Sequence, residues 1–433
     1  MTTLYRNDIA GEFPDSWYAA TVDAPALRAP LDADKMVDVC VVGAGYTGLN
    51  AALHLARAGL SVIVLEAHRA GFGASGRNGG QVGSGYNQSQ RWLAQRLGHD
   101  TARHLWDISQ EAKADIRAAS DQHPDIMFKP GVAHGAYSLS EAKHEWEDAA
   151  YLRDTYGYDL IDTLDRDAMQ ALVKTPSYKG GILDRGAGHI HPLRYALALA
   201  QMAETAGVDI YEQTEVTQIT KGDPVTLHTP KAQVKARHVI LAGNGYLPLL
   251  EDQVSAHVMP INSFICATEP LGDLASQVLA QDIAVADSKF VVNYFRLSED
   301  KRLLFGGRES YSIGFPSNIS SALIARMTSL FPQLKDSRVD YVWGGTLGIT
   351  MSRLPAIQRV APNIISGAGF SGHGVALSGM TGKVMAKAIS GQAGQFDTLS
   401  QLPTSRFPGG STLRAPLLAL AMTWYALRDR LGA

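Results

Sequence analysis

Three glycines, Gly43, Gly45 and Gly48, form the pattern G-x-G-x-x-G between an apolar run, Val37 to Val42, and a stretch of helical apolar spacing, Gly45 to Ala58. That arrangement suits a pyrophosphate. The first glycine permits the turn, the second admits the ligand to the backbone, and the third lets helix and strand pack closely. The intervening Ala44, Tyr46 and Thr47 would present main-chain N–H groups at a helix N-terminus, where the dipole favours anions. A second apolar run, Leu60 to Glu66, ends in an acid 18 residues after Gly48, the spacing expected of a group that binds a ribose 2′-OH. An acid at Glu66, followed by Ala67, disfavours a 2′-phosphate, so FAD or NAD is expected rather than NADP.

A second group of small and amide-bearing residues follows, with Gly73, Ala74, Ser75, Arg77, Asn78, Gly79, Gly80 and Gln81 suited to a backbone that runs along a flat ring system. A third lies near the C-terminus, Gly372-His373-Gly374-Val375, where a glycine-lined approach meets a helix start and His373 offers a polar side chain. Arg308, at the end of a strand beside Gly306 and Gly307, could clamp a substrate carboxylate with its two-pronged guanidinium, and Trp343 could wall a substrate channel. His189-x-His191 places two imidazoles on one strand face, but no third ligand follows at metal spacing, so no metal is expected.

The elements that must position these groups begin with a β-α-β unit, which argues for a doubly wound parallel sheet. Further helices are expected over 90–122, 140–156 and 193–206, a glycine- and histidine-containing loop over 184–192, and strands over 208–211, 214–219 and 236–242. A hairpin around Ser298 to Lys301 is foreign to a nucleotide-binding sheet and implies a second domain with an antiparallel sheet. The expected division is a discontinuous nucleotide domain, 1–85, 178–250 and 345–433, interleaved with a substrate domain, 86–177 and 251–344.

Composition bounds the rest. The 433 residues are 45% apolar and 19% charged, with a net charge of −3, which excludes general disorder and gives no field for nucleic acid. Two cysteines, Cys40 and Cys266, cannot form a disulfide framework, and Cys40 in its apolar run is expected to be buried and inert. No secretory leader is expected at the N-terminus, and the uncharged stretch Ala415 to Leu427 is too short to span a bilayer, so a cytoplasmic setting fits. Leu413 to Leu431 is expected to pack on the protein or on a partner. Glycine is in excess at 42, with half of it in two windows, 43–85 and 344–391.

Taken together, these motifs resemble the FAD-dependent oxidoreductases of the D-amino-acid oxidase and glycine/sarcosine oxidase type. The resemblance rests on Asp38 to Gly59, Gly71 to Gln81, Ala236 to Tyr246 with Ala242 and Gly243 beside the cofactor, Glu215-Val216 beside adenine, and Ser366 to Val375 at the flavin pyrimidine. It implies a glutathione-reductase-like FAD domain with an α+β substrate domain. The segments 188–193 and 369–375 and the tail 407–410 with 427–432 resemble more narrowly a branch acting on γ-glutamylated amines. The implied activity is oxidative deamination of an amine such as γ-glutamylputrescine, with hydride transfer to flavin N5, oxygen as acceptor and peroxide formed. Alternatives are oxidation of a secondary amine or N-methyl amino acid, and a flavin redox sensor without turnover. Some relatives of this type attach FAD through a cysteine around 341–346. None stands there, so non-covalent FAD is implied. The lysine that sarcosine-type relatives carry by N5 has no counterpart in Leu303 to Arg308.

Overall fold

The computed structural model describes residues 3–289, 291–310 and 314–408; for Thr3, Pro248, Leu249 and Arg308 it describes the backbone alone. Val39 to Val42 and Val62 to Leu65 are apolar on successive residues, the pattern of strands covered on both faces. They form the centre of the first sheet, Lys35–Val42 lying between Val62–Leu65 and Gln233–Leu241, all parallel. Asp209–Tyr211 and Ile364–Ala368 extend it in parallel, while Ala356–Ala361 and the hairpin Gln218–Thr220/Val225–His228 add antiparallel edges. Val39, Val41 and Val64 face one core with the helices Tyr46–Arg57, Pro192–Thr205 and Gly374–Ile389; Cys40, Ile63 and Leu65 face the other.

Among the described residues the second sheet has nine strands, in the order Val339–Ile349, Met259–Thr268, Leu303–Ser310, Tyr294–Leu297, Ala284–Asp287, Lys129–Ala136, Gly180–His189 and Gln81–Val82, with Ile161–Leu164 also on Gly180–His189. Every pairing is antiparallel except that of Lys129–Ala136 with Ala284–Asp287. The expected hairpin at Ser298 to Lys301 joins Tyr294–Leu297 to Leu303–Ser310. An aromatic and aliphatic core, including Phe264, Phe295, Phe305 and Phe331, lies under the helix Ile319–Leu330.

Two expectations of local structure change. The stretch 184–192, read as a loop, is mostly the strand Gly180–His189 of the second sheet. Its glycines mark crowding. A Cβ on Gly186 would stand 2.0 Å from the Tyr158 hydroxyl, and one on Gly188 2.4 Å from the Lys129 carbonyl. Gln81–Val82 and the whole of Val339–Ile349 also run in the second sheet. Of the expected strand 214–219 only Gln218 and Ile219 are strand, at the start of Gln218–Thr220; Thr214 to Thr217 is irregular. The tail beyond residue 408, including Leu413 to Leu431, lies outside the described residues. Among the described residues no helix is long and apolar enough to cross a membrane.

Candidate active site

A cavity of about 710 Å³ runs from the glycine turn of the first sheet to the inner face of the second. At its nucleotide end Gly43 adopts φ +104°, a backbone conformation that side chains rarely permit. Gly48 carries no side chain because its Cβ would lie 1.9 Å from the Gly43 carbonyl oxygen. Helix Tyr46–Arg57 starts at Gly45 without a side-chain cap, and helix Gly374–Ile389 starts at His373, also without one. Both helix starts line the cavity, the first with its Tyr46 N–H donating to the Ser75 hydroxyl at 3.0 Å.

Glu66 lies at the end of Val62–Leu65, with one carboxylate oxygen accepting from the Ala44 N–H at 2.8 Å and the other from the His68 N–H at 2.9 Å. Burial pushes its pKa up, against these N–H groups. Val216 lines the same end, on the irregular segment that returns to the Glu66 carbonyl through the Thr214 N–H. Neither cysteine lines the cavity, and burial holds both thiols in the protonated form, Cys266 at about 12.

The expected cofactor residues gather here with three exceptions. Ala44, Gly48 and Gly80 do not line the cavity. They shape it instead: Ala44 donates to Glu66, Gly48 admits the turn, and Gly80 fits against the Ile190 carbonyl, 2.2 Å from where its Cβ would be. Gly43, Gly45, Tyr46, Thr47, Glu66, Ala67, Gly73, Ala74, Ser75, Arg77, Asn78, Gly79, Gln81, Val216, Ala242, Gly243, Gly372, His373, Gly374 and Val375 all line it.

Several polar groups expected to face the ligand are engaged elsewhere. The Asn78 amide donates to the Ala74 and Ser75 carbonyls and accepts from the Gly80 N–H, bracing its own loop. The Gln81 amide donates to Val285. Arg77 pairs with Asp8 at 2.8 Å, donates to the Phe72 and Gly344 carbonyls, and lies over the Phe72 ring.

Trp343 is not a channel wall. It is 3% exposed, packs against Tyr18 with ring centroids 5.3 Å apart, and donates to the Arg77 carbonyl. The N-terminal arm covers this part of the sheet, and the cavity opens only two residues on, at Gly345. Arg308 lies in Leu303–Ser310 opposite Phe264, but its side chain is outside the described residues. His191 caps helix Pro192–Thr205, its Nδ1 accepting from the Arg194 N–H, and His189 faces Asp282 at 3.3 Å.

At the far end, burial lowers the pKa of His373, favouring the neutral ring, and its Nε2 has no partner among the described residues. The ring lies against Gly83, whose Cβ would come within 2.6 Å of it. Sequence reasoning missed the neighbours that complete this end. Tyr294 fits between Gly79 and Gly306, with its hydroxyl 3.2 Å from the Ser263 hydroxyl. Behind Gly83, Ser84 belongs to a buried network. Lys113 donates to the Ser84 and Tyr158 hydroxyls at 2.6 and 3.0 Å, and both hydroxyls donate to Asp184. Burial pushes the Lys113 amine down to about 8, although Asp184 opposes the shift. Helical periodicity alone gave no signal for a buried lysine.

The glycine cradle, the two uncapped helix starts and the unpartnered His373 nitrogen fit an extended dinucleotide with a polar ring system. The family model described as FAD dependent oxidoreductase matches residues 38–388. Gamma-glutamylputrescine oxidoreductase of Escherichia coli is 39% identical over 430 residues, covering 97% of this chain and 99% of that protein. A probable oxidoreductase, OrdL, of Rhizobium meliloti is 39% identical over 417 residues, covering 96% and 97%. Among solved structures, glycine oxidase from Geobacillus kaustophilus superposes with a TM-score of 0.70 at 21% identity, over 83% of this chain and 95% of that one. The chain therefore belongs to the FAD dependent oxidoreductase family and is an oxidoreductase with FAD as its cofactor.

Proposed function

We propose that the protein oxidatively deaminates a γ-glutamylated amine such as γ-glutamylputrescine. The observation that carries this reading is the 39% identity, over nearly the full length of both chains, to a gamma-glutamylputrescine oxidoreductase. The cavity supports it, since it continues past the nucleotide cradle onto the second sheet and leaves room for an extended substrate. Gly43 to Thr47, Glu66 and Val216 would hold the dinucleotide, with FAD bound non-covalently, and the helix starts at Tyr46 and Gly374 would face its anionic groups. The chemistry FAD supplies when bound is two-electron acceptance at N5 from the carbon beside the amine nitrogen, with oxygen as the final acceptor and peroxide formed.

The chain's own contribution is orientation and exclusion of water. His373, its charge disfavoured by burial, offers a polar contact at the ring end without placing a cation there. Tyr294, braced by Ser263, fixes the opposite wall. The imine released from a primary amine then hydrolyses to an aldehyde and ammonia without further help from the protein. A cytoplasmic setting accords with two buried, reduced cysteines.

The test is a visible spectrum of the purified protein followed by anaerobic mixing with γ-glutamylputrescine, putrescine and N-methylglycine, then a peroxide assay in air. Bleaching by γ-glutamylputrescine with peroxide on re-aeration is expected. Bleaching by N-methylglycine alone would move the assignment to N-methyl amino acids, and no bleaching by any amine would leave a flavin sensor.

A further inference from the structure

His134 is one of the polar side chains that line the cavity and are used by no step above. His134 stands in Lys129–Ala136 opposite Ala286, which pairs with Tyr294, which pairs with Gly306. The four form one transverse row on the second sheet, and His134, Ala286 and Tyr294 all line the cavity. Ala286 contributes only a methyl between them, so the row is a trough with a tyrosine at one end and a histidine at the other. At the usual interstrand spacing the two ends lie about 10 Å apart.

The ring of His134 is held from behind. Its Nδ1 contacts Glu145, on helix Leu139–Tyr156, and this carboxylate fixes the Nδ1 proton. Nε2 is then the polar atom left over, with no partner among the described residues, and 38% of the side chain remains open. Burial alone would lower the pKa of the ring; the Glu145 contact and the charges of Glu145, Asp287 and Glu141 outweigh it and hold it above the usual histidine value. An imidazolium of this kind presents an Nε2–H donor to the trough.

We propose that His134, clamped by Glu145, determines specificity for the acyl end of the substrate, donating Nε2–H to an acyl oxygen of an amine whose reacting carbon lies beside Tyr294. The spacing of the row favours an amine separated from its acyl group by several carbons over an amino acid whose carboxylate sits on the reacting carbon. This inference rests on the amine-oxidase reading above.

The test uses the FAD-loaded enzyme and the variants H134A, H134Q and E145Q, each checked for flavin content and melting temperature. H134A is expected to raise KM for γ-glutamylputrescine about tenfold or more, with kcat little changed and KM for putrescine, which has no acyl group, unaltered. H134Q, which keeps a donor, is expected to recover part of the loss and serves in place of H134A if that variant does not fold. A parallel rise for N-acetylputrescine would assign the bond to the amide carbonyl, and no rise would assign it to the carboxylate; either supports the proposal. In the wild type the tight KM is present while His134 is protonated and is lost as pH rises through its raised pKa. E145Q moves that loss to lower pH.

Equal rises in KM for γ-glutamylputrescine and putrescine would overturn the proposal. If the wild type oxidises none of these amines, the activity reading fails while this one is still tested. Flavin absorbance, titrated with γ-glutamylbutylamine, which lacks the terminal amine, must report weaker binding in H134A, and an unchanged dissociation constant overturns the inference.

Discussion

The two ends of the cavity are made of different material. The nucleotide end is main chain, consisting of a glycine turn, the start of helix Tyr46–Arg57 and a carboxylate that itself holds backbone N–H groups. The second-sheet end is side chain on side chain, with Tyr294 on Ser263 and His134 on Glu145. A main-chain cradle tolerates changes of side chain but not of volume, and it suits a ligand shared by many enzymes. A side-chain wall can be altered one residue at a time without loss of the fold, and it suits a substrate that differs between them.

The sharpest way to break the contrast is to add volume to the cradle. Gly48→Ala would drive a methyl into the Gly43 carbonyl, which is backbone and cannot step aside. We expect loss of more than about nine-tenths of the bound flavin and a stability cost of about 3 kcal/mol or more, read from the flavin-to-protein absorbance ratio and a thermal melt. Next is Lys113→Met, which leaves Asp184 buried beside an apolar chain and is expected to cost about 3 kcal/mol. It carries a pH signature. With the folded-state pKa lowered to about 8, the unfolded chain binds the extra proton between there and the ordinary lysine value. The wild type therefore gains stability from this group as pH rises through that window, and the variant does not. Urea melts on either side of it report the difference.

A smaller effect is expected at Glu66. Glu66→Ala strands the Ala44 and His68 N–H groups, at about 1–3 kcal/mol each where no water replaces the acceptor. Flavin affinity should fall about 10- to 100-fold, with Glu66→Gln intermediate, by titration of the apoprotein. Tyr294→Phe removes one hydroxyl from the opposite wall. Flavin content should be unchanged, stability should fall by about 1 kcal/mol, and kcat/KM by less than about tenfold. Smallest of all, His373→Asn should leave the pH dependence of kcat between about pH 7 and 8 unaltered, because a ring with a lowered pKa is already uncharged there.

The same contrast explains what could be read from the chain. Gly43 to Glu66 announces its fold because every signal in it is local, from apolar runs and glycine spacing to an acid at a fixed distance. Asn78 and Arg77 line the cavity, but their engagement with the Ala74 carbonyl and Asp8 depends on how a loop closes. Trp343 looked like a wall because nothing local reveals that Tyr18, hundreds of residues earlier, covers it. His134 and Tyr294 share a trough only through the register of strands far apart in sequence. Gly186 and Gly188 misled in the opposite sense, since glycine within a strand records crowding by Tyr158 and Lys129 as readily as it marks a loop.

The close fit of the two helices that start at the cavity has a consequence for biosynthesis. Gly382 lies against the Thr47 carbonyl, 2.1 Å from where its Cβ would be, so Gly374–Ile389 forms one side of the pocket that Tyr46–Arg57 begins. On a ribosome adding about 5–20 residues per second, the early helix waits on the order of tens of seconds for its partner. During that time its apolar face, with Leu49, Leu53 and Ala52, is short of the neighbour that will cover it. Flavin capture by the nascent chain should therefore begin only once the late helix has cleared the exit tunnel, and truncations ending before Gly374 should emerge colourless and dependent on chaperones.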